Sequence, residues 1–276
     1  RIMSSAAMHP FSSPQGLGRT AIQSSILGFL LGVHFVTLLM LTLQKTADDE
    51  NSNSSDTKEE KSPLWSPLQR WCLYVVAMCI YHNSEFYTTA YFNPTALKAD
   101  SFMMVHSNMY TIAVVVSCFE FWFVRPWIYN PLIRSLSTTL LILSDDSKFY
   151  WFLNTIPSLG CVLLFGGLGL RILAMMTCGT NFHHLIQSHQ KDDHLLVTHG
   201  IYKYLRHPSY TGWFYFTIGT QILLGNPLTT IGYGITGLNF FQRRIKYEEY
   251  LLSQQYPGSY AAYCDQTYIG IPFLSF

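Results

Sequence analysis

The chain has 276 residues, a formal net charge of +1, 49% hydrophobic residues and only 12% charged ones. Soluble domains carry roughly 25% charged residues, so this composition cannot cover a water-facing surface, and a polytopic membrane protein is expected. The balance of 17 basic against 16 acidic residues excludes the basic field that nucleic acid requires, and six scattered cysteines without a CxxC pair read as small buried hydrophobes.

Residues 1–19 read as an N-terminal tail and residues 20–179 as a region of membrane helices. Thr20 to Leu43 is an apolar run long enough to span. Gln44 to Pro67 counts six acidic residues against three lysines and reads as a solvated linker suited to the lumenal side. Leu68 to Leu97 is interrupted by His82, Asn83, Ser84 and Glu85, polar groups that are costly at a bilayer centre. Two short helices joined by a hairpin are therefore expected there. Met103 to Val124 and Trp127 to Leu143 follow as spans, with His106 and Glu120 as polar residues between helices. After the polar turn LSDDSK, Phe152 to Thr177 is a further span, and Arg171 near its end is expected to snorkel to the interface.

Residues 180–276 form a third, C-terminal region. Thr180 to His207 holds six of the ten histidines and is too polar for lipid, so it reads as a connector. Tyr210 to Gly225 and Leu228 to Phe241 are apolar arms flanking a GNP turn. The expected fold is all-α, with about eight transmembrane helices and a cytosol-facing pocket built from the C-terminal half. The connector histidines lack acid or thiol partners at metal-ligand spacing, so solvated histidines are expected rather than a metal site.

The second arm meets no strong breaker from Pro227 to Pro257. It reads as one helix of about 28 residues, rising roughly 42 Å and projecting from the membrane. His207 lies 19 residues before Asn226, and Arg244 lies 17 residues after Pro227. Antiparallel arms place them at one height, where the bilayer meets water. Glu248 stands one turn beyond Arg244 on the same helix face. Each feature alone has a plain explanation: flanking basic residues, an i,i+4 surface pair, a proline-started helix. Yet Arg before Glu is the less favourable order for helix stability, and a helix start offers free N–H groups to an anion.

The segments GTNFHHLIQ, HLLVTHGIYKYLRHPSYTGWFYFTIGTQILLGNP and RR…YEEY…YPGSYAAY carry a resemblance over about Arg171 to Phe273. Here the chain resembles the isoprenylcysteine carboxyl methyltransferase family, membrane enzymes that methylate the C-terminal carboxylate of prenylated proteins. The N-terminal half resembles it only in hydropathy and length. The resemblance implies S-adenosylmethionine as methyl donor, with S-adenosylhomocysteine as product, held by Gln187, His194, Leu195, Leu196, Val197, Tyr202, His207, Pro208, Ser209, Tyr210 and Glu248. Relatives often carry threonine where Leu195 stands. Arg244 would face the substrate carboxylate, and Arg244 and Glu248 would serve the reaction. The partners implied are farnesyl- or geranylgeranyl-cysteine termini and membrane lipid, at the endoplasmic reticulum membrane.

No Gly-rich strand–loop–helix unit appears, so helix ends and loop backbone would hold the donor. An α-carboxylate is ionised at neutral pH and needs no general base, so the implied reaction is an in-line displacement governed by positioning. A phospholipid N-methyltransferase shares the RHPxYxG cassette, but its amine substrate gives Arg244 nothing to bind. Sterol reductases carry a similar cassette with a nicotinamide cofactor. A transporter or non-catalytic scaffold predicts ionisable residues spread through the spans rather than gathered at one boundary.

Overall fold

The computed structural model describes residues 17–52, 65–104, 107–132, 135, 146–186 and 195–275. Among these the chain is helical, in α1 (Leu17–Ser52), α2 (Pro67–Phe92), α3 (Asn108–Phe119, continuing as a π-helix over Glu120–Tyr129), α4 (Asp146–Cys178), α5 (Pro208–Leu224), α6 (Pro227–Gln255) and α7 (Ser259–Cys264). Three described helical stretches are long and apolar enough to cross a membrane: Gly18–Asp48, Asn108–Leu132 and Thr155–Asn181. The chain divides into two compact units, residues 1–60 with 71–108, and residues 61–70 with 109–276.

In the first unit the expected break at His82 to Glu85 does not occur. Helix α2 runs through it without interruption. The polar groups find partners inside the unit: His82 Nδ1 lies 2.8 Å from the Phe102 carbonyl, and the Asn83 amide donates to the Cys79 carbonyl at 2.8 Å. Satisfied in this way, His82 and Asn83 no longer carry the desolvation cost that argued for a hairpin. Phe102, stacked on Phe86 at 4.1 Å, joins Leu27 and Cys79 in a small core.

A second correction concerns Arg125 and Pro126, expected to separate two spans. The helix is continuous from Asn108 to Leu132. Pro126 lacks an N–H and crowds the preceding turn, and the backbone takes it up by widening into the π-helix. The remainder of the span expected to end at Leu143 lies outside the described residues, Ser135 excepted.

The rest of the second unit is built on close helix contact. Gly167 on α4 faces Gly212 on α5, while Gly160 meets the Leu223 backbone and Gly219 the Leu164 backbone. A Cβ at Gly212 would lie 2.6 Å from both the Arg171 nitrogen and the Gly167 carbonyl oxygen, so the two backbones touch. Helix α5 ends at Gly225 (φ +75), and α6 starts at Pro227. A buried polar knot fixes this turn. Gln221 Oε1 accepts from Ser117, Asn226 and Thr229 at 2.7, 3.1 and 2.9 Å. The buried Glu120 carboxylate accepts the first free N–H groups of α6, Leu228 at 2.8 Å and Thr229 at 2.7 Å. From that pinned turn α6 runs 29 residues unbroken, as the lack of breakers predicted. At the other end Phe214, Phe241 and Ile245 pack with Ile269 and Ile271 of the C-terminal tail. The open end of the hairpin is thereby closed by the tail.

Candidate active site

The cassette from Tyr204 to Tyr210 leads the chain from connector into helix. Leu205 pairs with Tyr268 in an isolated parallel bridge, the Arg206 N–H donating to the Tyr268 carbonyl at 2.9 Å. His207 caps α5 and Pro208 opens it, leaving free N–H groups in the first turn. The His207 ring then stacks nearly flat on Tyr210, centroids 5.6 Å apart and planes 6° apart.

Tyr210 is the link to α6. Arg244 Nε donates to its hydroxyl at 2.8 Å, and Arg244 Nη2 donates to the His184 carbonyl at 2.7 Å. The guanidinium also lies over the rings of Tyr210 and Phe240. The equal-height argument therefore has a physical counterpart: His207, Tyr210 and Arg244 form a contiguous row across the hairpin. Arg244 and Glu248 make no ion pair with each other.

The adjacent acids of α6 behave differently. Glu249 Oε1 receives Arg206 Nε at 2.6 Å and His207 Nε2 at 3.1 Å, while Arg206 Nη1 donates to the Thr267 carbonyl at 2.7 Å. Burial pushes the Glu249 carboxyl up, but these bonds outweigh it and hold it below its ordinary value. Glu248 approaches His207 Nδ1 only to 3.9 Å, and its buried Oε2 has no hydrogen-bond partner. A buried carboxylate oxygen without a donor is costly.

The Glu248 side chain is part of the wall of a cavity of about 160 Å³. Leu195, Leu196, Val197, Tyr202, His207, Pro208, Ser209, Tyr210 and Glu248 all line that cavity. Gln187 and His194 lie outside the described residues. Arg244 is not among the lining residues; Tyr210 stands between it and the cavity. Tyr202, Tyr260 and Tyr263 also line it, and burial raises all three phenols far above their ordinary value, Tyr202 further through Cys178 and Glu248. They stay protonated at any working pH. The Tyr263 hydroxyl donates to the Tyr202 carbonyl at 2.7 Å, tying α7 to the connector.

Arg171 corrects a third expectation. It does not snorkel; it is 6% exposed and donates to the Ser209 hydroxyl at 3.0 Å and carbonyl at 3.3 Å. The glycine contacts bring α5 close enough for Arg171 to meet Ser209, at the start of that helix, before its side chain reaches an interface. Sequence reasoning also missed Glu249, Arg206 and the Thr267–Tyr268 strip that braces them. The adjacent acids in YEEY were a signal: neighbours on a helix point about 100° apart, so two acids imply two different tasks.

A family model described as the isoprenylcysteine carboxyl methyltransferase family matches residues 158–254, which hold most of these groups. A Xenopus laevis protein-S-isoprenylcysteine O-methyltransferase is 36% identical over 258 residues, 94% of this chain and 75% of the relative. A Dictyostelium discoideum relative of the same name is 35% identical, over 74% of this chain and 78% of its own length. In three dimensions the chain resembles a solved structure of the eukaryotic intramembrane Ras methyltransferase, isoprenylcysteine carboxyl methyltransferase. The TM-score is 0.64 at 37% identity, covering 76% of this chain and 69% of that one.

Proposed function

The chain belongs to the isoprenylcysteine carboxyl methyltransferase family, and on that premise we propose that it esterifies the α-carboxylate of a C-terminal prenylcysteine with a methyl group from S-adenosylmethionine. The observation that carries this reading is the separation of two charged groups by Tyr210. Glu248, with one carboxylate oxygen unpaired, lines the cavity, and an immobilised Arg244 stands just outside it.

The residues fit the donor. Glu248 offers a carboxylate to an ammonium group, α5 offers free N–H groups to a carboxylate, and Leu195 to Val197 offer backbone and apolar surface. Gln187, His194, Tyr202 and His207 to Tyr210 complete the proposed set. Bound there, S-adenosylmethionine supplies a methyl group made electrophilic by its sulfonium.

The chain's own work is placement. Tyr210 and the His184 carbonyl occupy Arg244 Nε and Nη2 and so fix the guanidinium plane. The remaining N–H donors of Arg244 can orient a substrate carboxylate, which is ionised without any base because its pKa lies near 3.3–3.7. The buried Tyr260 and Tyr263 rings shield one wall of the cavity from water. The prenyl chain stays in the bilayer, gaining roughly 0.8 kcal/mol per buried CH₂, while only its head reaches the site. The full reading has about eight spans, an endoplasmic reticulum membrane and a cytosol-facing pocket.

Transfer of a labelled methyl group to farnesylcysteine tests this. Arg244→Lys removes the planar fork while keeping the charge, and loses most turnover with S-adenosylhomocysteine binding intact. Full activity in that variant removes Arg244 from the site, and labelling of phosphatidylethanolamine instead of the prenylcysteine overturns the substrate class.

A further inference from the structure

The far end of α5 holds a cluster that methyl transfer does not use. At Gly225, where α5 ends, two arginines converge. Arg70 Nη1 lies 3.3 Å and Arg125 Nε 3.6 Å from the point where a Gly225 Cβ would stand. Both side chains are partly buried and close enough to repel each other. Among the described residues neither guanidinium has a carboxylate partner or a hydrogen-bond acceptor, and the Cys161 thiol is the nearest ionisable group of opposite tendency to Arg70. Arg125 lies over the face of Phe121, and Arg70 Nε is buried with no hydrogen-bond partner.

The simple explanation is that the two cations offset the negative end of the α5 dipole. That dipole amounts to about half a charge, against two full charges here. Neither arginine donates to a carbonyl of that helix end. Glu120, on the same helix as Arg125, has both carboxylate oxygens on the N-terminus of α6 and makes no ion pair with either arginine. Two forked donors drawn out of water side by side, without an acceptor, are unfavourable unless an anion joins them.

We infer that Arg70 and Arg125, with the Gly225 turn between them, form a binding site for a phosphate group. Guanidinium forks match phosphate oxygens two at a time, and Gly225 leaves room for the anion because it has no side chain. Trp122, Phe123 and Trp127, exposed on the turns around Arg125, supply apolar surface beside the site, as a phospholipid would require. Helix α5 has 17 residues, so the site stands about 25 Å from His207 and is separate from the methyl-transfer pocket.

The test is thermal melting of the whole protein in a neutral maltoside detergent, with phosphatidylglycerol or inorganic phosphate as probe. At about 100-fold excess over Kd, the effective probe raises the wild-type Tm by at least about 5 °C. A rise with phosphatidylglycerol alone identifies a lipid headgroup, and a rise with inorganic phosphate identifies the free anion. Arg70→Gln with Arg125→Gln abolishes the rise, yet melts no lower than wild type in detergent alone, because the repulsion is gone. If the double variant cannot be recovered, Arg70→Gln alone must lose at least half of the shift. No shift with either probe, or a shift the variants keep in full, overturns the site.

Discussion

The contact between α4 and α5 gives the sharpest test of how the fold positions the chemistry. In Gly212→Ala the added methyl would sit 2.6 Å from the Arg171 nitrogen and the Gly167 oxygen, and 3.0 Å from the Arg171 Cα. All three are backbone atoms, which cannot swing aside. The helices must part locally by about 1 Å to restore contact near 3.5 Å, at a cost of about 1–3 kcal/mol. The same movement stretches the Arg171–Ser209 bonds, now 3.0 and 3.3 Å, beyond hydrogen-bonding range. Ser209 follows His207 and Pro208 directly, so the pocket wall moves with it, and a 1 Å misplacement costs about 100-fold in turnover. The assay pairs a melting curve with methyl transfer to farnesylcysteine. Gly167→Ala should behave the same way, because its Cβ would meet the Phe216 backbone, whereas Gly166→Ala next to it has nothing within 4 Å and should be neutral or slightly stabilising. Equal behaviour of Gly166→Ala and Gly167→Ala would refute backbone contact as the device that sets the site.

Three further outcomes follow from the charged groups. Glu248→Gln should weaken S-adenosylhomocysteine binding by about 10- to 100-fold in calorimetry, with Tm unchanged or raised, since the buried oxygen has no protein donor to lose. The Glu249 carboxyl is held below its ordinary value of 4.5, so its stabilising contribution is present above pH 4.5 and is lost as pH falls through the folded-state value. Glu249→Gln should therefore lower Tm at pH 7 and converge on wild type in acid, and a constant gap from pH 3.5 to 8 would contradict that assignment. Glu120→Ala leaves the Leu228 and Thr229 N–H groups and the Tyr129 hydroxyl without an acceptor and should cost about 2–4 kcal/mol in a denaturation series.

What the sequence made legible was local or periodic. The 29 residues of α6 followed from the lack of breakers, and the placing of His207 and Arg244 at one height, each against Tyr210, followed from counting equal distances along two arms. What it concealed was set by partners distant in the chain. His82 reads as a helix breaker until the Phe102 carbonyl, 20 residues on, satisfies its ring. Arg171 reads as an interface residue until Gly212 brings α5 within reach of it. Glu249 and Glu248 are indistinguishable on paper, and only Arg206, 43 residues earlier, selects which one is neutralised.

That selection carries the functional logic. Arg206 lines the cavity and Arg171 and Arg244 hold residues that line it, yet Glu248 pairs with none of the three. Arg171 is engaged by Ser209, Arg206 by Glu249 and Thr267, and Arg244 by Tyr210 and the His184 carbonyl. A fold selected for stability alone would have closed one of these short gaps with an ion pair, since an unpaired buried carboxylate oxygen is unfavourable. Arg171 and Arg244 are instead held by neutral partners, and Arg206 by the neighbouring acid Glu249. The result is one carboxylate paired with no cation and one oriented guanidinium, both adjoining Tyr210. Such an arrangement suits two ligands of opposite head charge meeting across a phenol: a donor whose ammonium answers Glu248, and an acceptor whose carboxylate answers Arg244. A complex with S-adenosylhomocysteine in which the ammonium lay away from Glu248 would break that logic, whatever the activity of the protein.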